Sequence, residues 1–277
     1  MRILKTLIIS LIIITSLTFA SSANASAWEY VTFRMGAPAS YWKDVAQCQA
    51  GNKNQVNWKQ LGIQSGGLQI HTNSSFGQPD MGIWEQYGGE QFAPSPDKAS
   101  VDQQIIIANR IAITGFKTKQ INSFTIRPLR DVYIKHPLGF NHWSCIATSE
   151  LDSYSKIEYT VRISTDPTFS CPKYENLFRK YGLPPKVFSY IAYRESRCNT
   201  NAVNARWKDG KLIWTLNNNK TYDSGLLQIN SSWIGTLKRE FGYSSSDLFK
   251  ADVNARFASW ILNNTSGRLR NWSLYAK

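Results

Sequence analysis

The stretch Ser224-Gly225-Leu226-Leu227-Gln228-Ile229-Asn230-Ser231-Ser232-Trp233 has a second copy in the same chain. The first half carries Gly66-Gly67-Leu68-Gln69-Ile70, followed by Asn73-Ser74-Ser75-Phe76. Upstream of each copy, apolar spacing predicts a short amphipathic helix with a cysteine near its end. One helix ends Tyr193-Arg194-Glu195-Ser196-Arg197-Cys198 and the other Val45-Ala46-Gln47-Cys48-Gln49-Ala50. The halves read as one plan written twice. They differ where it matters for chemistry, with a carboxylic acid at Glu195 and an amide at Gln49.

Working outward, residues 28–34 read as a short strand. Ser40 is the expected N-cap of a helix running to about Gln49, with Trp42, Val45, Ala46 and Gln49 on one face. A helix is expected near 79–88. Another starts after Ser100, with Gln103 at the capping-box position, and runs to Gly115. Residues 116–140 hold Pro128, Pro137 and several β-formers and read as a hairpin or extended insertion. Residues 156–164 alternate with period two, as a strand does. Further helices are expected near 172–181, from Pro184-Pro185 to Glu195, near 231–241 and near 247–263. In the last, Val253, Phe257, Trp260 and Ile261 form the core face.

The chain opens with Arg2 and Lys5, an apolar run from Leu7 to Phe19, and then Ala23-Asn24-Ala25. That is the pattern of a secretory signal peptide over residues 1–25. The run is short for a membrane span, so no stable membrane insertion is expected after cleavage. Of 277 residues, 252 then remain, enough for two small domains. The net charge of +13 falls to +11 once Arg2 and Lys5 leave with the signal. A basic exported protein seeks polyanions. Export argues against nucleic acid, and an anionic cell wall fits better. Four cysteines in an exported chain predict two disulfides, for which four residues allow three connectivities. One bridge per domain is the expectation, Cys171–Cys198 in the second.

Val187, Phe188, Ile191, Ala192 and Glu195 share one helical stripe. A carboxyl on a buried stripe is costly to ionise, so its pKa rises and it stays protonated nearer neutral pH. A protonated carboxyl can donate to a glycosidic oxygen. Helical spacing alone leaves open a different Glu195, turned to solvent or paired with Arg194 or Arg197. Asp223, just before Ser224-Gly225, is either a second carboxylate of the site or a turn residue. His71, His136 and His142 are too scattered for a metal site, so neither metal nor cofactor is expected. Most of the ten tryptophans are expected in the core, with Trp207, Trp214 and Trp233 as candidate sugar platforms.

Glu195-Ser196 followed by Asp223-x-Gly-x-x-Gln-Ile-Asn-Ser-x-Trp resembles the lysozyme and soluble lytic transglycosylase superfamily, over about 171–275. Asp252-Val253-Asn254-Ala255 resembles a further transglycosylase segment. The resemblance implies Glu195 as general acid and Asp223 as second carboxylate. It also implies Gln228, Asn230 and Trp233 as lining of the sugar site. The segment 199–222 is longer than in animal lysozymes, so the facing of Asp223 towards Glu195 stays open, and with it hydrolysis against transglycosylation.

Residues 40–147 resemble the resuscitation-promoting factor domain. The resemblance rests on Trp42, Val45-Ala46-Gln47-Cys48, Gly66-Gly67-Leu68-Gln69-Ile70, residues 99–105 and Phe140-Asn141-His142-Trp143-Ser144-Cys145. It implies a Cys48–Cys145 bridge. It also implies that Gln49 stands where that family keeps its catalytic glutamate. An amide cannot serve as a general acid at neutral pH, so this copy is expected to bind glycan, through Gln49 and Gln69, without cutting it. Asp44, Asp80 and Glu85 are the other acids nearby.

The expected architecture is α+β, mostly α, with two tandem lysozyme-like domains after a signal peptide. The domains expected are 28–150, a linker or strand at 151–170, and 171–277. The expected activity is cleavage of the MurNAc–GlcNAc β-1,4 bond of peptidoglycan by a secreted or wall-associated monomer. The rival is a wall-binding protein that cuts nothing.

Overall fold

A computed structural model describes residues 28–52, 55–62, 64–72, 82–114, 143, 158–204, 206–208, 211–213, 216–266 and 268–273. The expected signal peptide, the 116–140 insertion, Asp80, Cys145 and Trp214 lie outside the described residues.

The first half is built on two helices, α1 (Ala39–Ala50) and α3 (Val101–Thr114), with the four-residue α2 (Ile83–Gln86) between them. Trp42, Val45 and Ala46 of α1 pack with Ile107, Ala108 and Ile111 of α3, Leu68, Ile70 and Trp143. Two small hairpins, β2 (Gly51–Asn52) with β3 (Gln55–Val56) and β4 (Gln64–Ser65) with β5 (Ile70–His71), close the side of this core. Three details differ from the sequence reading. Ser40 does not cap α1. The chain enters from Pro38, whose extended backbone (φ −64°, ψ 158°) and missing N–H suit a helix boundary, and no side chain caps the end. Of the helix expected at 79–88, residues 79–81 lie outside the described residues; among the rest the α-helix runs over Ile83–Gln86 and ends where Gly88 turns left-handed (φ 75°) into a 3₁₀ turn. At α3 the Ser100 N–H is taken by the Gln103 side chain as a capping box requires, but the Ser100 hydroxyl turns to Asp102 instead.

The second half follows the strand β6 (Glu158–Ser164). It contains α4 (Glu175–Lys180), α5 (Pro185–Ser196) and the hairpin β7 (Arg206–Lys208) with β8 (Lys211–Ile213). The hairpin β9 (Asp223–Ser224) with β10 (Ile229–Asn230), then α6 (Ile234–Phe241) and α7 (Ala251–Asn264), complete it. The helices expected near 172–181, 231–241 and 247–263 are each led in by a 3₁₀ turn. Phe178, Phe188, Ile191, Leu237, Phe257 and Ile261 make the second core. Trp260 is not in it. Its ring is half-buried, stacked on Phe257 (5.7 Å) and edge-on to Trp233 (6.2 Å).

The halves are joined at their outer edges. Strand β1 (Trp28–Arg34) pairs antiparallel with β6, from Trp28 opposite Ser164 to Arg34 opposite Glu158. Val31 and Phe33 of β1 pack with Val161 and Ile163 on the second core. Arg110 of α3 donates to the carbonyls of Arg179 and Lys180 at the end of α4, and burial pulls its pKa down to about 10. Arg256 of α7 grips Asp102 of α3 with two nitrogens, both at 2.9 Å. No helix among the described residues is long and apolar enough to cross a membrane.

Candidate active site

Helix α5 starts at Pro185, where a missing N–H costs nothing, and buries Val187, Phe188, Ile191 and Ala192. Its far end is locked by left-handed backbone at Arg197 (φ 54°) and Cys198 (φ 63°), whose N–H groups bond back to Tyr193 and Ala192. Side-chain residues rarely adopt this conformation. Here the Cys171–Cys198 disulfide and the Arg197 bond to the Tyr193 carbonyl hold it.

Glu195 sits two residues before that lock. Burial, the largest influence, pushes its pKa from 4.5 up to about 7; Arg194 pulls the other way, and the charge of Asp223 adds to the rise. Asp223 is therefore close enough to be felt by Glu195. Ser196, fully buried, donates to the Ala192 carbonyl (2.9 Å) and bridges to the Leu226 carbonyl (2.7 Å). The Glu-Ser dipeptide thus ties the helix end to the β9–β10 turn. Ser196→Ala is expected to leave the Leu226 carbonyl short of this partner, costing about 1–3 kcal/mol in urea unfolding. Slack at Glu195 is expected to lower turnover by up to about a hundredfold.

The turn Gly225-Leu226-Leu227-Gln228 is left-handed at both ends, Gly225 at φ 78° and Gln228 at φ 47°. Gln228 donates through Nε2 to the Gly225 (2.9 Å) and Ala202 (3.0 Å) carbonyls, so both amide hydrogens serve the turn. From α7, Asn254 accepts from the Leu227 N–H and donates to Ser224 and Leu248. A Cβ on Gly225 would lie 2.2 Å from the Leu248 carbonyl oxygen and 2.3 Å from Asn254 Nδ2. Gly225→Ala is expected to cost about 1–3 kcal/mol of stability, read as a drop in melting temperature.

Asp223 faces Asn230 across the hairpin. Its Oδ1 accepts from Asn230 Nδ2 at 2.7 Å and its Oδ2 from Asn217 Nδ2 at 3.0 Å. Asn230 also accepts from the Ser232 N–H and so caps the 3₁₀ turn that carries Trp233. Trp233 is half-buried against Trp260.

The first half repeats this construction. Gly66 (φ 72°) and Gln69 (φ 51°) flank the same turn, and Gln69 Nε2 bonds Gly66 O at 2.8 Å. Gln104 of α3 reaches the Gly67 N–H and the Pro96 carbonyl, much as Asn254 does in the second half. Trp143 donates to Leu68 O (2.7 Å) as Trp272 donates to Leu227 O (3.0 Å). Burial along residues 45–50 follows that along 191–196 in all but the last position, which sets Gln49 against Glu195. The hairpin register adds a correspondence that the sequence reading missed. Gln64 pairs with His71 where Asp223 pairs with Asn230. The signal was present, since Gln64 precedes Ile70 by the same six residues that separate Asp223 from Ile229. Both carboxylate positions of the second half thus hold amides in the first. His71 lies 2.6 Å from Gln64, and burial lowers its pKa to about 4, so it is neutral.

Of the other acids, Asp44 is exposed on α1 and Glu85 is half-buried on α2. Cys48 is disulfide-bonded, while its expected partner Cys145 lies outside the described residues. The Trp207 side chain likewise lies outside the described residues.

A helix packed with a Gly-x-x-Gln-Ile hairpin, with a long helix clamping the turn from behind, occurs twice here, and it defines two lysozyme-like domains in tandem. Residues 36–117 match the transglycosylase-like domain family, and residues 175–277 match the transglycosylase SLT domain family. No curated protein matches the chain. The two matches support a peptidoglycan-lytic function in general, of the lytic transglycosylase type of glycosidase.

Proposed function

We propose that the protein is a secreted, wall-held lytic transglycosylase that cuts the MurNAc–GlcNAc β-1,4 bond with Glu195 as its acid and base. The observation that carries this reading is Glu195, half-buried at the end of α5 where Ser196 fastens that helix to the β9–β10 turn, with burial and the charge of Asp223 raising its pKa to about 7. At neutral pH a large share of such carboxyls holds a proton. Glu195 gives that proton to the bridging oxygen as the C1–O bond breaks. The resulting carboxylate then takes the proton of the MurNAc 6-hydroxyl, whose oxygen closes on C1 as a 1,6-anhydro ring. Asp223 has both oxygens held by amides, which suits a fixed negative charge beside the developing cation better than a nucleophile.

Gln228 and Asn230 position the turn and Asp223, and Trp233 offers a ring to a pyranose face. The first domain, with Gln49 and Gln64 in place of acids, binds glycan through its cleft without cutting it. The positive charge keeps the protein on the anionic wall.

The test is mass spectrometry of purified peptidoglycan digested with the protein, beside a Glu195→Gln control. Anhydro-muropeptides in the wild-type digest alone are expected. Reducing-end muropeptides would make the enzyme a hydrolase with Asp223 in a larger role. Identical digests would leave a wall-binding protein.

A further inference from the structure

Between the domains run two adjoining cavities, of about 600 and 440 Å³, which share Lys43, Asn263 and Asn264. Together they form one groove along the seam, and neither contains Glu195 or Asp223. Each cavity alone has the size of a small-molecule site. An occupant of both is elongated.

The lining specifies the occupant's chemistry. Trp58, its ring packed under Gly67 of the first hairpin, lines the larger cavity, and Tyr159 lines the smaller. Trp260 stands between the domains with one edge towards Trp233 of the candidate active site. Flat, half-buried rings spaced along a groove suit pyranose faces. Asn263 and Asn264 turn their amide N–H groups back onto α7, and no donor to their side-chain oxygens is found among the described residues, so these are open to sugar hydroxyls.

The charge balance is positive. Asp102 is neutralised by Arg256 and Glu240 by Arg239, whereas Lys43 and Lys59 have no ion pair among the described residues. Arg268 is held by two neutral oxygens, the Tyr159 hydroxyl and the Gly36 carbonyl. Aromatic platforms, amide oxygens and unpaired cations in one long groove fit a polysaccharide that carries carboxylates.

We propose that the seam groove binds a peptidoglycan strand through its sugars and the carboxylates of its stem peptides, and leads it over Trp260 and Trp233 towards Glu195. This rests on the wall-lytic reading above only for the direction of the strand. Binding itself needs no cleavage, and it requires both domains, since neither forms the groove alone.

The experiment measures binding to peptidoglycan sacculi freed of teichoic acid, and separately to purified teichoic acid. Glu195→Gln protein is compared with the same protein carrying Lys43→Glu and Lys59→Glu. Both lysines are exposed, so the fold is expected to persist, checked by melting temperature. The charge reversal is expected to weaken binding to the stripped sacculi about tenfold and to flatten its salt dependence. Unchanged affinity for stripped sacculi overturns the proposal. A loss seen only with teichoic acid also overturns it, since the groove then reads a bare polyanion. Because Glu195 is already replaced, the binding result is independent of activity. Wild-type digests without lytic products would sink the enzyme reading and leave groove binding standing.

Discussion

Glu195→Gln is expected to lower the rate of strand cleavage by about 10²–10⁴-fold, the share that a positioned general acid contributes. The same substitution is expected to stabilise the fold at alkaline pH. Below pH 4.5 the carboxyl is protonated in both folded and unfolded chains, so acid and amide are nearly equivalent. Between 4.5 and about 7 the unfolded chain gives up its proton while the folded chain keeps it, so wild-type stability falls as pH rises. Above about 7 the folded carboxylate is charged and poorly solvated. There the Gln variant is expected to be more stable by about 2–3 kcal/mol, and the difference should fade towards pH 4. Urea unfolding of both proteins at pH 4 and pH 8 measures it. Equal stability at both pH values would mean a solvated carboxylate and would remove the physical basis for its acid role. Wild-type activity is likewise expected to decline as pH rises through 7.

Arg256→Leu is expected to cost about 1–3 kcal/mol, because it strands the Asp102 carboxylate at a half-buried interface. The pair is bidentate, with side chains only 16% and 18% exposed. Arg256 also donates to the Ser100 and Tyr243 hydroxyls and lies over the Phe241 ring. The pair joins the helices that clamp the two turns, α3 and α7, so its loss is expected to uncouple the domains. Calorimetry should then show one unfolding transition dividing into two. A double variant with Asp102→Leu, which leaves no lone charge, is expected to recover much of the loss. A single unshifted transition in Arg256→Leu would show that the ion pair contributes little.

How much of this is legible in the sequence follows from which interactions are local. The duplicated turn is readable because a glycine followed three residues later by glutamine is a local device: one supplies positive φ, the other bonds back across the turn. Glu195 is readable because its place on an apolar stripe and the Ser that follows lie within a few residues. The ends of helices are less so. Ser40 has the right chemistry for a cap, but Pro38 already sets the boundary. Trp260 has core spacing, yet the contact with Trp233 keeps it at the surface of a groove that spacing cannot reveal. The equivalence of Gln64 with Asp223 is visible as an offset but acquires meaning only from the hairpin register. Pairing of β1 with β6, across some 130 residues, has no local signature at all.

That last pairing has a consequence for how the chain is assembled. Strands β1 and β6 bracket the first domain and seal onto the core of the second, so the amino-terminal lobe is a guest threaded into its host. During synthesis β1 emerges long before β6 and α5 and must wait for both before it has anything to pair with or cover. Such long-range closure is slow, and until it happens a bare strand edge with Trp28 and Tyr30 stays open to other chains. The guest can complete its own core early, while the host, which holds Glu195, finishes last.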